Sequence, residues 1–335
     1  MKLALPLTIL SYALAAAAIP VNKKRQDADP EADAIETNGP LPSGTETYGD
    51  TELAYNTTDY PDSVEAALNG TRAVALAAVR EPTAQEEEMI TYYMTLAGAA
   101  YCSSVMSGTW ALCLRCGDVR HTEIIETFDT LIHDTNAMVV RDDESKTIVA
   151  VFRGSASLQN WAANLDATLT NYPAGGRVHN GFYESYEDVA DELTAVVFDQ
   201  LEQYPDYSVA TAGHSLGGAT SLLCGLDLHQ RGIPADKISI HTAGAPRVGN
   251  TAFANYIIDT GIYYTRLTNK RDLIPHVPST TMGFMHAGEE YWIRSDDTMQ
   301  VCENGLETPD CANSTPLFTN MADHLDYMGL LGLCL

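Results

Sequence analysis

The sequence predicts an α/β fold in which a mostly parallel central sheet is covered by helices on both faces, within one domain over residues 73–335. Three observations carry this. Short runs rich in β-branched residues recur at 137–142, 147–154, 207–213, 237–244 and 262–268. Longer stretches with helical periodicity, 186–204 and 216–232, separate some of them. Alternation of this kind builds parallel strands joined by crossover helices. Third, "TAGHSLGGA" (211–219) crowds small residues where a strand run meets a helix.

The chain opens with Lys2 and an apolar run from Leu3 to Ile19 that ends in small residues, Ala15 to Ala18. That pattern reads as a signal peptide over 1–18. A membrane anchor fits less well, because Pro6 breaks the run and it is short for a span. A secreted, extracellular protein with no integral membrane segment is expected. Lys23-Lys24-Arg25 reads as a dibasic processing site. Residues 26–72 hold 11 acidic residues and one basic, with few large apolar side chains, a composition unable to bury a core. We read 19–72 as a removable pro-segment whose end could reach about residue 85.

"TAQEEEMITYYMTLAGAAYC" (83–102) follows as an amphipathic helix, with Thr83 as N-cap and glutamates in the first turn. The net charge is −26, of which −20 falls on residues 73–335. So acidic a surface repels nucleic acid and anionic membranes and tolerates a neutral substrate. Seven cysteines in an exported chain imply disulfides with one thiol left over, and Cys224, in an apolar helical run, is the natural odd one. Cys113 and Cys116 fit a short structural bridge better than half a zinc site, since no second pair stands at ligand spacing. No metal or cofactor is expected. Asn56, Asn69 and Asn313 head N-glycosylation sequons.

Ser215 lies in G-x-S-x-G where the run Val209–Thr211 meets a helix beginning near Leu216. A sharp strand-turn-helix exposes a hydroxyl only if the flanking residues are tiny, and Gly213 and Gly217 are. The helix N-terminus then points free N–H groups at any negative charge that develops there. A serine needs a base, and the base an orienting acid; on this kind of sheet the chain order is Ser, acid, His. Asp272 directly follows a strand, whereas Asp296 and Asp297 sit in a more distant turn. A salt bridge to Lys270 or Arg271 is the competing role for Asp272. Among histidines, His229 reads as surface or capping and His241 as packed in a strand. His276 and His286 stay open, and His324 stands in a short polar break near the C-terminus. Ser155 ends the strand neighbouring the serine's strand, the side from which a second oxyanion donor comes, although it could simply cap the following helix. Residues 156–166 place Leu158, Trp161, Ala162 and Leu165 on one helical stripe, positioned to cover the cleft as a lid.

Ordered blocks extend the pattern: "VFRGSASLQNW" (151–161), "RVHNGFYESY" (177–186), "GHSLGGATSLL" (213–223), "APRVGNTAFANY" (245–256), "RDLIPHVP" (271–278), "HAGEEYWI" (286–293) and "DHLDYMG" (323–329). From about residue 80 to its end the chain resembles the secreted filamentous-fungal triacylglycerol lipases of class 3, of the Rhizomucor and Rhizopus type. The resemblance implies an α/β-hydrolase-like fold, nucleophile Ser215, acid Asp272, base His324, and an oxyanion hole from Ser155 and the amide of Leu216. It also implies a lid over 156–166, the bridges Cys102–Cys334, Cys113–Cys116 and Cys302–Cys311, and Cys224 free. The expected activity is hydrolysis of acylglycerols at an oil–water interface by a monomer. A feruloyl esterase or a phospholipase A1 would share the chemistry, and an inactive lipid- or cell-wall-binding relative would share only the fold.

Overall fold

The computed structural model describes residues 45–48, 51–54 and 78–329, apart from 114–115, 131–132, 156–166, 304 and 316–320. The leader over 1–18, Asn56, Asn69, the lid residues Leu158, Trp161 and Leu165, and Cys334 lie outside the described residues.

The elements begin with a hairpin, β1 (Thr45–Tyr48) and β2 (Thr51–Ala54), then β3 (Ala78–Arg80), α1 (Ala84–Ala99) and α2 (Ser103–Met106). Next come β4 (Glu123–Asp129), β5 (Asn136–Asp142), β6 (Thr147–Phe152), β7 (Leu169–Asn171) and β8 (Arg177–His179). The middle of the chain supplies α3 (Asn180–Glu187), α4 (Ala190–Gln203), β9 (Ser208–His214), α5 (Leu216–Gln230) and β10 (Ile238–Ala243). The last part holds β11 (Gly249–Asn250), α6 (Thr251–Thr260), β12 (Tyr263–Asn269), β13 (Phe284–Met285), β14 (Glu289–Ile293), β15 (Met299–Glu303) and α7 (Met321–His324).

Nine of these strands form one sheet in the order β3-β15-β14-β12-β10-β9-β6-β5-β4. Its five central strands, β14, β12, β10, β9 and β6, run parallel. Both edges are antiparallel, with consecutive hairpins β4-β5-β6 and β14-β15, and β3 added outside β15 from the other end of the chain. The hairpins need only short connections, whereas each parallel pair needs a crossover, which is why the helical stretches cluster in the middle of the chain. Alternate residues serve opposite faces. Val139, Ile148, Ala150, Phe152 and Val209 belong to the core that includes buried residues of α4, α5 and α6. Met138, Val140, Val149, Val151, Ala210 and Ala212 pack with residues of α1 on the other face.

α1 starts where the sequence puts it. Glu86 donates its N–H to Thr83 Oγ1, and the Glu86 carboxylate accepts the Thr83 N–H at 2.7 Å, a reciprocal capping box. The single helix expected over 186–204 is instead two, α3 and α4, broken at Asp188–Val189. The Asp188 carboxylate is engaged by His133 Nδ1 at 2.8 Å and by Thr130 Oγ1, and Val189 turns to φ −122°, ψ −7°. The Val189 N–H closes onto the Tyr186 carbonyl at 3.1 Å, a tightened last turn that ends α3. β3 was not anticipated at all. It pairs with β15, and the Arg80 guanidinium bonds Glu86 and Glu303.

Candidate active site

Ser215 sits between β9 and α5 with φ 60° and ψ −130°. A side chain is strained in that conformation, and such strain persists only where the surroundings impose it. The glycines are part of that imposition. A Cβ on Gly213 would lie 2.0 Å from the Gly217 carbonyl oxygen, and one on Gly217 would lie 2.3 Å from that of Phe152. Strand, helix and the end of β6 therefore meet with room for hydrogens only. The Ser215 N–H donates to the Ala243 carbonyl at 2.9 Å, and its own carbonyl accepts from Gly218 at 2.9 Å. The backbone is held from both sides while the side chain caps nothing.

Asp272 stands three residues beyond β12 and is buried. Its Oδ1 accepts the Ile274 N–H at 2.9 Å. Its Oδ2 accepts from His324 Nδ1 at 2.8 Å and from the Tyr327 hydroxyl at 2.5 Å. An imidazole whose Nδ1–H is committed to a carboxylate presents Nε2 as a proton acceptor. Among the described residues, the buried Ser215 Oγ and His324 Nε2 have no hydrogen-bond partner. Catalytic hydrogen bonds are often long before substrate arrives, so two orphaned polar atoms fit a site waiting for a reactant.

The segment carrying His324 is pinned from below. Asn269 Nδ2 donates to the carbonyls of Asp323 and Asp326 at 2.9 and 3.0 Å, and the Arg271 N–H donates to the Asp323 carboxylate. His214 Nε2 bonds the His324 carbonyl at 3.0 Å, and the two rings lie 4.6 Å apart. Gly244 backs the pair: a Cβ there would be within 3.0 Å of His324 and Asp272 side-chain atoms. Because Ser215 is bonded to the adjacent Ala243, serine and imidazole face one short piece of chain.

Gly154 and Ser155 run past the serine, with a Gly154 Cβ position 2.9 Å from that of Ser215. The Gly154 N–H donates to the Tyr101 hydroxyl at 3.1 Å. Leu216 opens α5, where the first N–H groups have no intrahelical acceptor. The hydroxyl, the imidazole, the carboxylate and two backbone segments able to donate are thus brought together. Such an arrangement can remove a proton from a serine and stabilise an oxyanion beside it.

Of the other candidates, all but His276 are engaged elsewhere; the buried His276 Nε2 also lacks a partner among the described residues, but the carboxylate of Asp272 bonds His324 and not His276. His229 Nδ1 bonds the Ile233 carbonyl at 2.9 Å at the end of α5. His241 is buried against Thr265, Ser239 and the Tyr93 ring. His286 bonds the Pro275 carbonyl, and His276 is a neighbour whose imidazole burial pushes below its ordinary pKa. Asp297 pairs with Lys270 and Asp296 with Thr298, so the competing ion pair of Lys270 goes to Asp297. Cys113–Cys116 and Cys302–Cys311 are disulfides, and Cys224 is free and buried. Asn313 is exposed, its amide donating to Glu307 at 2.9 Å. Among the described residues, no group of three or more His, Cys, Asp or Glu side chains could hold a metal ion. Nor is any described helix long and apolar enough to cross a membrane. A cavity of about 700 Å³ bordered by Asn269, Lys270, Asp326 and Met328 includes none of Ser215, Asp272 and His324. Tyr101, His214 and Tyr327 are polar members of the site that sequence reasoning missed. His214 and Tyr327 lie inside quoted motif blocks, and that proximity was the only available signal.

Residues 149–282 match the family model for lipase (class 3). The chain is 51% identical over 314 residues to a lipase of Rhizomucor miehei, covering 91% of this chain and 84% of that one. Its fold is similar to that of the native Rhizomucor miehei lipase propeptide complex, with TM-score 0.76 and 48% identity over 92% of this chain and 96% of that one. It is also similar, at TM-score 0.74 and 51% identity over 77% of this chain and all of the other, to a triacylglycerol lipase whose catalytic centre is a serine protease triad.

Proposed function

The chain belongs to the class 3 lipase family, and we propose that Ser215, Asp272 and His324 are the nucleophile, acid and base with which it cleaves esters. The protein is a carboxylic-ester hydrolase that acts on triacylglycerols through an acyl-enzyme, releasing free fatty acids. The observation that carries the residue assignment is the buried Asp272–His324 pair at 2.8 Å, with the unpartnered Nε2 of that histidine and the unpartnered hydroxyl of the strained Ser215.

In this reading His324 Nε2 takes the Ser215 proton as Oγ attacks the ester carbonyl. Asp272 holds the ring in the productive tautomer and stabilises the imidazolium. The carbonyl oxygen becomes an oxyanion, which receives the Leu216 N–H at the head of α5 and donors of Ser155. The imidazolium returns its proton to the departing alcohol, leaving an acyl-serine. Water, deprotonated by the same nitrogen, then attacks the acyl carbon and releases the fatty acid. Removing one oxyanion donor costs about 3–4 kcal/mol of barrier, roughly a hundredfold or more in rate; Ser155→Ala, which deletes the hydroxyl and keeps the backbone N–H, should lower kcat by at least about tenfold and leave the fold intact.

The lid opens at lipid interfaces, and Leu158, Trp161 and Leu165 are its apolar stripe in our reading. Exposing that stripe to water would cost on the order of 5 kcal/mol; an oil surface removes the penalty. We further propose an extracellular monomer with a signal peptide over 1–18, a pro-segment from 19, a Cys102–Cys334 bridge, and glycosylation at Asn56, Asn69 and Asn313. The pairing of Ala78–Arg80 with β15 supports an end of the pro-segment ahead of Ala78, within the range that composition left open.

Assaying emulsified triolein beside methyl ferulate and phosphatidylcholine tests the substrate, with Ser215→Ala as control. Triolein turnover that disappears in the variant is expected. Preference for either other ester would overturn the substrate reading, and activity surviving in Ser215→Ala would overturn the nucleophile.

A further inference from the structure

We propose that His214, assisted by Tyr101, is a positioning residue that couples the oxyanion segment to the backbone of the proposed base. The inference rests on the assignment of His324 and Ser155 given above.

Four groups form one chain of hydrogen bonds. The Gly154 amide lies 3.1 Å from the Tyr101 oxygen, which lies 2.9 Å from His214 Nδ1, while His214 Nε2 lies 3.0 Å from the His324 carbonyl. The ends dictate the direction of every proton. An amide N–H can only donate, so the Tyr101 oxygen accepts from Gly154 and turns its own proton toward His214 Nδ1. A carbonyl can only accept, so His214 Nε2 carries the hydrogen. His214 is therefore a neutral imidazole in a single tautomer. Complete burial, reinforced by the neighbouring His324, holds its pKa well below the ordinary value, which keeps that proton pattern in place.

The chain spans pieces that are far apart in sequence. Tyr101 follows α1, Gly154 follows β6, His214 ends β9, and His324 ends α7. Gly154 precedes Ser155, and a Cβ on it would press within 2.9 Å of Ser215 Cβ and 2.3 Å of the Tyr101 oxygen. The His214 ring also packs against the His324 ring at 4.6 Å and against Tyr327 at 5.3 Å. The imidazole thus holds the backbone of the His324 segment by its hydrogen bond and the plane of the base by contact. An apolar residue could fill the space but could not hold the carbonyl.

Three variants test this, each assayed for kcat and KM on a soluble short-chain nitrophenyl ester and for thermal unfolding. His214→Leu should lower kcat by about thirtyfold or more with KM within about twofold, because small misplacements of reacting groups cost up to about a hundredfold. His214→Gln, which can donate from Nε2 and accept at Oε1, should recover most of that loss. Tyr101→Phe deletes only a hydroxyl and should lower kcat by about five- to tenfold, with no further loss when combined with His214→Leu, since the chain is already broken. Equal kcat in Tyr101→Phe and the parent overturns the proposal, as does a His214→Gln variant no better than His214→Leu or a loss confined to KM. Should His214→Leu fail to fold, Tyr101→Phe and His214→Gln decide by the same criteria. Activity abolished in Ser215→Ala but unchanged in Tyr101→Phe would sink this inference while sparing the triad.

Discussion

Replacing Ser215 should stabilise the protein while destroying its activity, and the size of the gain follows from two separable costs. One is the buried hydroxyl, which has no partner among the described residues; an unsatisfied buried donor or acceptor costs about 1–3 kcal/mol. The other is the backbone at φ 60°, ψ −130°, a strain on the order of 1–3 kcal/mol. Ser215→Ala removes the first cost and keeps the second. Ser215→Gly removes both, but loses about 0.5–1 kcal/mol to the greater freedom of the unfolded chain. The expected order of stability is Gly above Ala above the parent, with Ala gaining about 1–2 kcal/mol and Gly roughly 1 kcal/mol more. In a domain of this size each kcal/mol raises Tm by about 2–4 °C. Urea unfolding with unchanged m-value, together with ester turnover at background, is the measurement. An Ala variant less stable than the parent would mean that the hydroxyl has a stabilising partner. A Gly variant less stable than Ala would mean that the elbow stores no strain.

Tyr327→Phe removes the 2.5 Å bond to Asp272 and strips the Asn269 N–H of its acceptor. It should cost about 2–4 kcal/mol in urea unfolding and slow ester hydrolysis severalfold; unchanged values in both assays would show Asp272 indifferent to the phenol. Acid should destabilise the fold well above the carboxylate range. His241 is held neutral by burial, with its pKa pushed down to about 3, so the unfolded chain binds a proton that the native one refuses. That contribution is complete above the ordinary histidine pKa and is lost as pH falls from about 6.5 toward 3, amounting to about 2 kcal/mol between pH 7 and pH 5 for one histidine. His241→Gln should flatten the urea midpoint's dependence on pH over that interval, and an unaltered slope would refute the assignment. Finally, N-terminal sequencing of the mature protein should begin ahead of Ala78. A chain starting at Glu81 should lose about 1–2 kcal/mol from the missing edge strand and the Arg80 ion pairs, and equal stability would make β3 dispensable.

What could be read in the sequence was whatever short-range backbone sterics control. The turn at Ser215 needs glycine two residues away on either side because strand and helix touch there, so the pattern is local and visible. Thr83 and Glu86 cap α1 over one turn, and the strand runs from 137 to 268 follow from alternating packing faces. The order serine, acid, histidine narrowed the candidates along the chain, while the choice of Asp272 and His324 among them came from the resemblance to the class 3 lipases. Tertiary structure alone decided what joins them. Tyr101 meets His214 across 113 positions, and Tyr327 meets Asp272 across 55. Such contacts leave no periodicity behind, because a tyrosine that donates to a buried carboxylate reads the same as one that fills a core. The edge strand at Ala78 arose likewise, from a partner far along the chain. Local geometry is written into neighbouring residues, whereas a hydrogen bond between distant ones exists only once the sheet has brought both to the same place.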